Sequence, residues 1–260
     1  MIGIFDSGIG GLTVVKAVFQ QLPDYEIVYF GDTARTPYGT KSPATIIDYA
    51  IQDTEFLLSK GVKIVVVACN TASSVATEAL RDRFTGIPIF EVVTPAVVKV
   101  TQVTKNYNVG IIGTRATINS NIYNKKIKDL YADIKVFSNA CPLLVPLVEE
   151  GWLKRRETKM ILKKYLYPLK RKQIDTLVLG CTHYPLLKDI IQAKMGKRVK
   201  IVDSSAETAV YIKNYLTEHP EIDVILKRGN NNQFYVSDFT PTFAEIAKKI
   251  LGRPIHLLLA

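Results

Sequence analysis

Two segments of the 260-residue chain are alike, and each holds one cysteine: Ile64-Val65-Val66-Val67-Ala68-Cys69-Asn70-Thr71 and Leu177-Val178-Leu179-Gly180-Cys181-Thr182-His183. In both, a β-branched and leucine-rich run ends in Cys, and small polar residues then open a helical pattern. A thiol at the carboxyl end of a buried strand, facing the N–H groups and dipole of the next helix, sits where its thiolate is favoured. Taken singly, each cysteine reads as a small buried hydrophobe. As a matched pair they read as two similar groups facing one site from opposite sides. A reference pKa of about 8.5 lets a thiol serve as acid or base near neutrality. Proton exchange at a stereocentre needs a base on one face and an acid on the other, so the pair points to a racemase or epimerase. A Cys/His hydrolase would use only one of the two. His183 could donate a proton, hold Cys181 as thiolate, or simply be hydrogen-bonded in place. Cys141, before Pro142, lacks the strand-end setting and reads as structural.

Asp6-Ser7-Gly8-Ile9-Gly10-Gly11 follows the first apolar run, and its glycines allow backbone N–H groups to approach an anion closely. Counting from Gly8, a dinucleotide fingerprint would need glycine where Thr13 stands, and the Gly-Lys-Ser/Thr of a P-loop is absent. Nucleotide binding is disfavoured. A tight strand-to-helix turn explains the glycines, but not why Asp6 stands first at the strand end.

Positioning these groups requires strands that end together. Apolar runs at 2–5, 26–30, 63–68, 87–92, 108–112, 134–138, 175–179 and 199–202 alternate with helical patterns. Ser42-Pro43 opens one helix that Gly61 ends, and Ala72, Val75, Ala76, Ala79 and Leu80 line another. Pro185 opens a helix that Gly196 stops, and Ser204-Ser205-Ala206-Glu207 reads as a capping box. The fold class is therefore α/β: two similar parallel-sheet domains, helices on both faces, the active site in the cleft between them. Residues 1–93 plus 206–260 are expected to form the first domain and 94–205 the second. The stretch 228–239 reads as a surface loop or hairpin.

With 47% hydrophobic residues the chain has ample core, and no apolar run approaches the roughly 20 residues of a membrane span. The N-terminus lacks signal-peptide features, so the expected location is the cytoplasm. Three cysteines without Cys-x-x-Cys exclude a disulfide framework or zinc ribbon, and the scattered histidines at 183, 219 and 256 give no metal-ligand spacing. The net charge of +10 is densest at Lys154-Arg155-Arg156 and Lys170-Arg171-Lys172. With Met160, Ile161, Tyr165 and Leu169 between them, these read as a solvated helix face over a buried stripe. No zinc-finger or RNP-type signature accompanies the charge, which argues against nucleic acid as a partner.

Six ordered motifs resemble the aspartate/glutamate racemase family. They are Phe5-Asp6-Ser7-Gly8-x-Gly10-Gly11, Gly31-Asp32-Thr33-Ala34-Arg35-x-Pro37-Tyr38-Gly39, Ala68-Cys69-Asn70-Thr71-Ala72, Gly113-Thr114-x-Ala116-Thr117, Val145-Pro146-Leu147-Val148-Glu149 and Leu179-Gly180-Cys181-Thr182-His183-Tyr184-Pro185. The resemblance spans nearly the whole chain. It implies cofactor-independent interconversion of L- and D-glutamate, supplying D-glutamate for peptidoglycan, by a homodimer. It implies that Cys69 and Cys181 are the acid/base pair, with Asp6 assisting Cys69 and His183 assisting Cys181. Glu149 matches the family's acidic residue near the second thiol, with Glu150 adjacent. Asp6, Ser7, Pro37, Tyr38, Gly39, Asn70, Thr71, Thr114, Thr117, Thr182 and His183 match substrate-contacting positions. Some members carry an N-terminal extension tied to activation by a peptidoglycan precursor; this chain begins almost at its first strand, so that regulation is not expected. Three rivals stand beside this reading: a racemase for another substrate such as aspartate, a non-catalytic binder of an acidic ligand, and a basic protein acting on DNA or its enzymes.

Overall fold

Strands that are apolar on both faces need helices on both faces, and the computed structural model, which describes residues 1–239 and 241–260, has that arrangement twice. The strands are β1 (Ile2–Asp6), β2 (Ile27–Gly31), β3 (Ile64–Val67), β4 (Ile89–Glu91), β5 (Asn108–Gly113), β6 (Lys135–Ala140), β7 (Thr176–Gly180), β8 (Lys200–Asp203), β9 (Gln233–Val236) and β10 (Leu257–Leu259). One sheet runs β10-β9-β2-β1-β3-β4 and the other β6-β5-β7-β8, and every strand pair in them is parallel.

In the first sheet Ile2, Ile4, Ile27, Tyr29, Ile64 and Val66 face one core, shared with helices Leu12–Gln21 and Ser204–Glu218. Phe5, Val28, Phe30, Val65 and Val67 face the other, under helix Pro43–Ser59. The second sheet divides likewise: Val109, Ile111, Val178 and Val202 on one side, Ile112, Leu177 and Leu179 on the other. The chain passes from β4 to the second sheet through helix Val93–Val103 and returns at Ser204.

The strand order sets the site. Connections from β1 leave to β2 on one side and reach β3 on the other, so the crevice opens between the carboxyl ends of β1 and β3. In the second sheet the same reversal falls between β5 and β7. Asp6 ends β1, Cys69 follows β3, Thr114 follows β5 and Cys181 follows β7. Each thiol thus occupies the equivalent place in its own sheet.

Several expectations need correction. The stretch 228–239 is not a hairpin: Gln233–Val236 is a parallel strand docked on β2, and its inward residues Phe234 and Val236 are buried. Ser204 does not cap; Asp203 does, accepting from the Ser205 N–H at 3.0 Å, and Ser204 lies inside the helix. On the basic helix Arg156–Arg171 the expected stripe holds at Leu169, which is buried, and at Ile161 and Tyr165, which pack half-buried on the same core; Thr158, Leu162 and Leu166 are buried beside them, and Met160, expected in the stripe, is 60% exposed. The helix after Cys69 divides into Asn70–Val75 and Thr77–Arg83. After Cys181 comes a 3-10 turn, Tyr184–Leu187, before the α-helix Lys188–Met195. The two thiols therefore do not share one helix-dipole setting.

Phe234→Ala removes a core side chain from the strand the sequence concealed. We expect a loss on the order of 3–5 kcal/mol by chemical denaturation. A loss below about 1 kcal/mol would contradict the placement of β9 in the first sheet.

Candidate active site

Ser7, Pro37, Tyr38, Gly39, Cys69, Asn70, Thr71, Thr114, Val145, Cys181, Thr182 and His183 line one cavity of ≈ 20 Å³, room for about one water molecule. Both thiols border it, one from each sheet. Two of the anticipated contact residues, Asp6 and Thr117, stand behind its wall. Val145, which carries no chemistry of its own, is an apolar wall that residue-type reasoning had no means to single out.

Asp6 is fully buried. Its Oδ2 accepts from the Gly8 N–H at 3.0 Å, and its Oδ1 accepts from Thr182 Oγ1 at 3.1 Å, across the cleft. Burial pushes its carboxyl up, opposed by His183, the N–H groups of Gly11 and Gly8, and the Thr182 hydroxyl. The glycine-rich turn therefore serves an anion, but that anion is the protein's own Asp6. Its second use is close approach: a Cβ on Gly10 would lie 2.4 Å from Thr182 Oγ1 and 2.5 Å from His183 Nδ1. Gly39 meets Thr114 in the same way, where a Cβ would fall 2.6 Å from the threonine Cβ.

The thiols differ electrostatically. Cys69 Sγ lies 3.6 Å from Ser7 Oγ. Burial and then the neighbouring Asp6 charge push the Cys69 thiol up to about 12, against the opposing Ala72 N–H and Ser7 hydroxyl. This overturns the expectation that position at a helix N-terminus favours its thiolate: desolvation outweighs one N–H and a short helix. Cys181 Sγ lies 3.8 Å from His183 Nδ1, and His183 Nε2 lies 3.1 Å from Glu149 Oε1. Burial alone would lower the His183 pKa, but Cys181 and Glu149 carry it well above the ordinary imidazole value. Glu149, not Glu150, is the carboxylate at the second thiol. Glu150 lines an adjoining cavity of ≈ 250 Å³ together with Gly8, Thr36 and Glu149. Cys141 is buried in the second core, where burial raises its thiol.

The polar wall opposite is made of hydroxyls and one amide. Thr71, Thr114 and Thr117 form a triangle, with Oγ1 separations of 2.9, 3.0 and 3.4 Å. The Thr114 hydroxyl also caps helix Arg115–Asn119. The Tyr123 hydroxyl donates to Asn70 Oδ1 at 2.7 Å, and Asn70 Nδ2 donates to Ser204 Oγ at 3.3 Å. Such dipoles can bind carboxylates without placing a strong competing base near a substrate proton. The Tyr38 hydroxyl is turned away from the cavity, toward Asp32 and Asp53, so this residue meets a ligand with its ring or backbone.

The chain matches the family described as Asp/Glu/Hydantoin racemase over residues 3–212. It is 45% identical over 251 residues to a glutamate racemase of Geobacter metallireducens, covering 96% of this chain and 92% of that one. The structure resembles that of a glutamate racemase isoform from Bacillus anthracis, with TM-score 0.93, 37% identity and coverage of 100% and 97%. It also resembles the Francisella tularensis glutamate racemase in complex with D-glutamate, with TM-score 0.91, 38% identity and coverage of 100% and 96%. No helix among the described residues is long and apolar enough to cross a membrane.

The raised pKa of His183 has a stability consequence. The folded protein holds this proton more tightly than the unfolded chain, whose imidazole titrates near 6.5. The stabilisation is complete below that value and is lost as pH rises through the higher folded value. Measured by denaturant midpoint across pH, wild type should lose stability relative to His183→Gln above neutrality. Glu149→Gln should narrow that window, and parallel curves for all three would show that the imidazolium is not stabilised.

Proposed function

The chain belongs to the Asp/Glu/Hydantoin racemase family, and from that premise we propose that it interconverts L- and D-glutamate by proton transfer through Cys69 and Cys181, without a cofactor. The observation that carries the reading is that both thiols border one small cavity, each at the carboxyl end of a strand from a different sheet. The substrate follows from the relatives named glutamate racemase and from the neighbour that holds D-glutamate.

One sulfur, as thiolate, takes the α-hydrogen while the other, as thiol, delivers a proton to the opposite face. The two sulfurs exchange protonation states in each turnover. With its thiol held up to about 12, Cys69 is the donor in the resting protein. Cys181, against the His183 imidazolium and its Glu149 partner, is the base. The reverse direction needs Cys69 as base, and the substrate ammonium entering the cavity is the positive charge that favours its thiolate. The α-hydrogen is a very weak acid, so charge developing on the substrate must be met by fixed dipoles. Asn70, Thr71, Thr114 and Thr182 supply N–H and O–H groups around a cavity too small for bulk water. Asp6 assists the first thiol through its charge, and Glu149 assists the second through His183.

A cavity for one water cannot hold glutamate, so the reading includes separation of two domains, residues 1–93 plus 206–260 and residues 94–205, to admit it. Thr240 in the first span lies outside the described residues. A cytoplasmic homodimer supplying D-glutamate for peptidoglycan completes the reading.

The test is circular dichroism of L- and D-glutamate incubated in deuterated water without added pyridoxal phosphate or metal. Both enantiomers should racemise, with deuterium at the α-carbon of the product. Cys69→Ser and Cys181→Ser should each lower turnover on the order of 10²–10⁴-fold while keeping the wild-type unfolding midpoint. Full activity in either variant, or product without label, rules the mechanism out, and a preference for aspartate rules out the substrate.

A further inference from the structure

The segment Thr36–Gly39 walls the catalytic cavity through Pro37, Tyr38 and Gly39, yet it belongs to no sheet. A polar cluster behind it holds it. Asp32, which follows β2, and Asp53, on helix Pro43–Ser59, are both wholly buried carboxyl groups. Arg35 joins them, with Nε 2.6 Å from Asp32 Oδ2 and Nη2 2.9 Å from Asp53 Oδ1. The buried Tyr38 hydroxyl is hydrogen-bonded to Asp32 Oδ2 and lies 2.9 Å from Asp53 Oδ2. Ser237 Oγ donates to Asp32 Oδ1 at 2.9 Å and accepts from the Ala34 N–H at the same distance.

The hydrogens do not suffice if both carboxyls are ionised. A phenol has one hydrogen, and two carboxyl oxygens sit against it. Two anions on a single guanidinium would also leave a net charge in a buried site. One proton on Asp53 Oδ2 removes both difficulties. It donates to Tyr38 Oη, Tyr38 donates to Asp32, and Asp32 and Arg35 neutralise each other. Asp32 keeps the charge because it accepts from Tyr38, Arg35 Nε and Ser237, whereas Asp53 accepts from Arg35 alone.

We propose that Asp53 is a positioning residue of this site: a neutral carboxylic acid that donates to Tyr38 and closes an uncharged ring with Asp32 and Arg35, holding the Pro37–Gly39 wall against Thr114. Burial, followed by the Asp32 charge, raises the Asp53 carboxyl well above the ordinary carboxylate range, in the same sense. The role of the wall rests on the racemase reading; the protonation of the ring does not.

The two aspartates, alike on one arginine, should respond oppositely to amidation. In Asp53→Asn the amide N–H donates to Tyr38 and its oxygen accepts from Arg35, so the unfolding midpoint and the KM for glutamate should stay within about twofold of wild type. Asp53→Ala should raise KM on the order of tenfold, with a smaller effect on kcat. Asp32→Asn, which takes away the carboxylate that Tyr38 and Ser237 donate to and forces the counter-charge of Arg35 onto Asp53, should do the same and lower the midpoint. Infrared spectra of protein labelled with ¹³C-aspartate should show the C=O stretch of a buried carboxylic acid that disappears in Asp53→Asn. If that variant leaves the band unchanged, or is as damaging as Asp32→Asn, Asp53 is ionised and the proposal is overturned. The infrared and unfolding readouts need no turnover, so a wild-type protein inert toward glutamate would sink the racemase reading while leaving this test intact.

Discussion

One buried carboxylate keeps the two sides of the cleft in register. Asp6 ends the central strand of the first sheet and is wholly inaccessible, so every lone pair it leaves unmet is costly. Its own turn supplies N–H groups from Gly8 and Gly11, and the remaining partner, the Thr182 hydroxyl, comes from the second sheet. Thr182 stands between Cys181 and His183. The side chain that satisfies Asp6 therefore also determines where the second thiol and its histidine lie relative to the first sheet. Gly10 completes the constraint, since any side chain there would drive Thr182 and His183 away.

The rest of the seam is polar as well. Thr13 Oγ1 donates to the Thr182 carbonyl at 3.1 Å and meets Ser205 Oγ at 2.8 Å, and Asn70 reaches Tyr123 and Ser204. Hydrogen bonds of this kind contribute roughly 1 kcal/mol each, because water replaces the lost partner when they open. Interdigitated apolar surface would resist parting far more; most of each apolar cluster lies on the faces of one sheet, and Leu186 and Ala116 are among the few side chains that bridge. A seam of hydroxyls can be dry and ordered when shut yet open at modest cost, as the proposed admission of an amino acid into this small cavity would need.

Much of this was legible in the sequence, for physical reasons. Eight apolar runs are strands to within two residues, because β-branched runs with no helical period and turn residues at each end have few other solutions. The twin cysteine segments mark equivalent strand ends because a strand ending at a switch point needs a small residue and then a helix start. What escaped was short or depended on distant partners. Gln233–Val236 and Leu257–Leu259 are too brief to show a period, and the first is a strand only because β2 lies beside it. On the basic helix the expected face was right at Ile161, Tyr165 and Leu169, but its centre lies one residue on, at Leu162 and Leu166, and leaves Met160 in solvent, a rotation that only docking on the second sheet fixes. The outward turn of the Tyr38 hydroxyl depends on Asp53, fifteen residues away on another element.

The deepest difference between reading and structure concerns the thiols themselves. By sequence they are near copies, as the symmetric reaction proposed for them would suggest. The structure gives one a buried carboxylate as its neighbour and the other an imidazolium held by a second carboxylate. That asymmetry follows from which strand each thiol lies beside: β1 ends in Asp6, whereas its counterpart β5 is followed by Thr114. A pair with identical environments would spread one proton evenly over two sulfurs and leave neither reliably basic. On the proposed reading, unequal neighbours fix the roles, with Cys69 beside the Asp6 carboxyl as donor and Cys181 beside the His183–Glu149 pair as base, so that a bound amino acid meets a base on one face only. On the same proposal the opposite enantiomer needs those roles exchanged, and the ammonium of the bound amino acid is the cation that would favour the exchange in a cavity lined by no lysine or arginine.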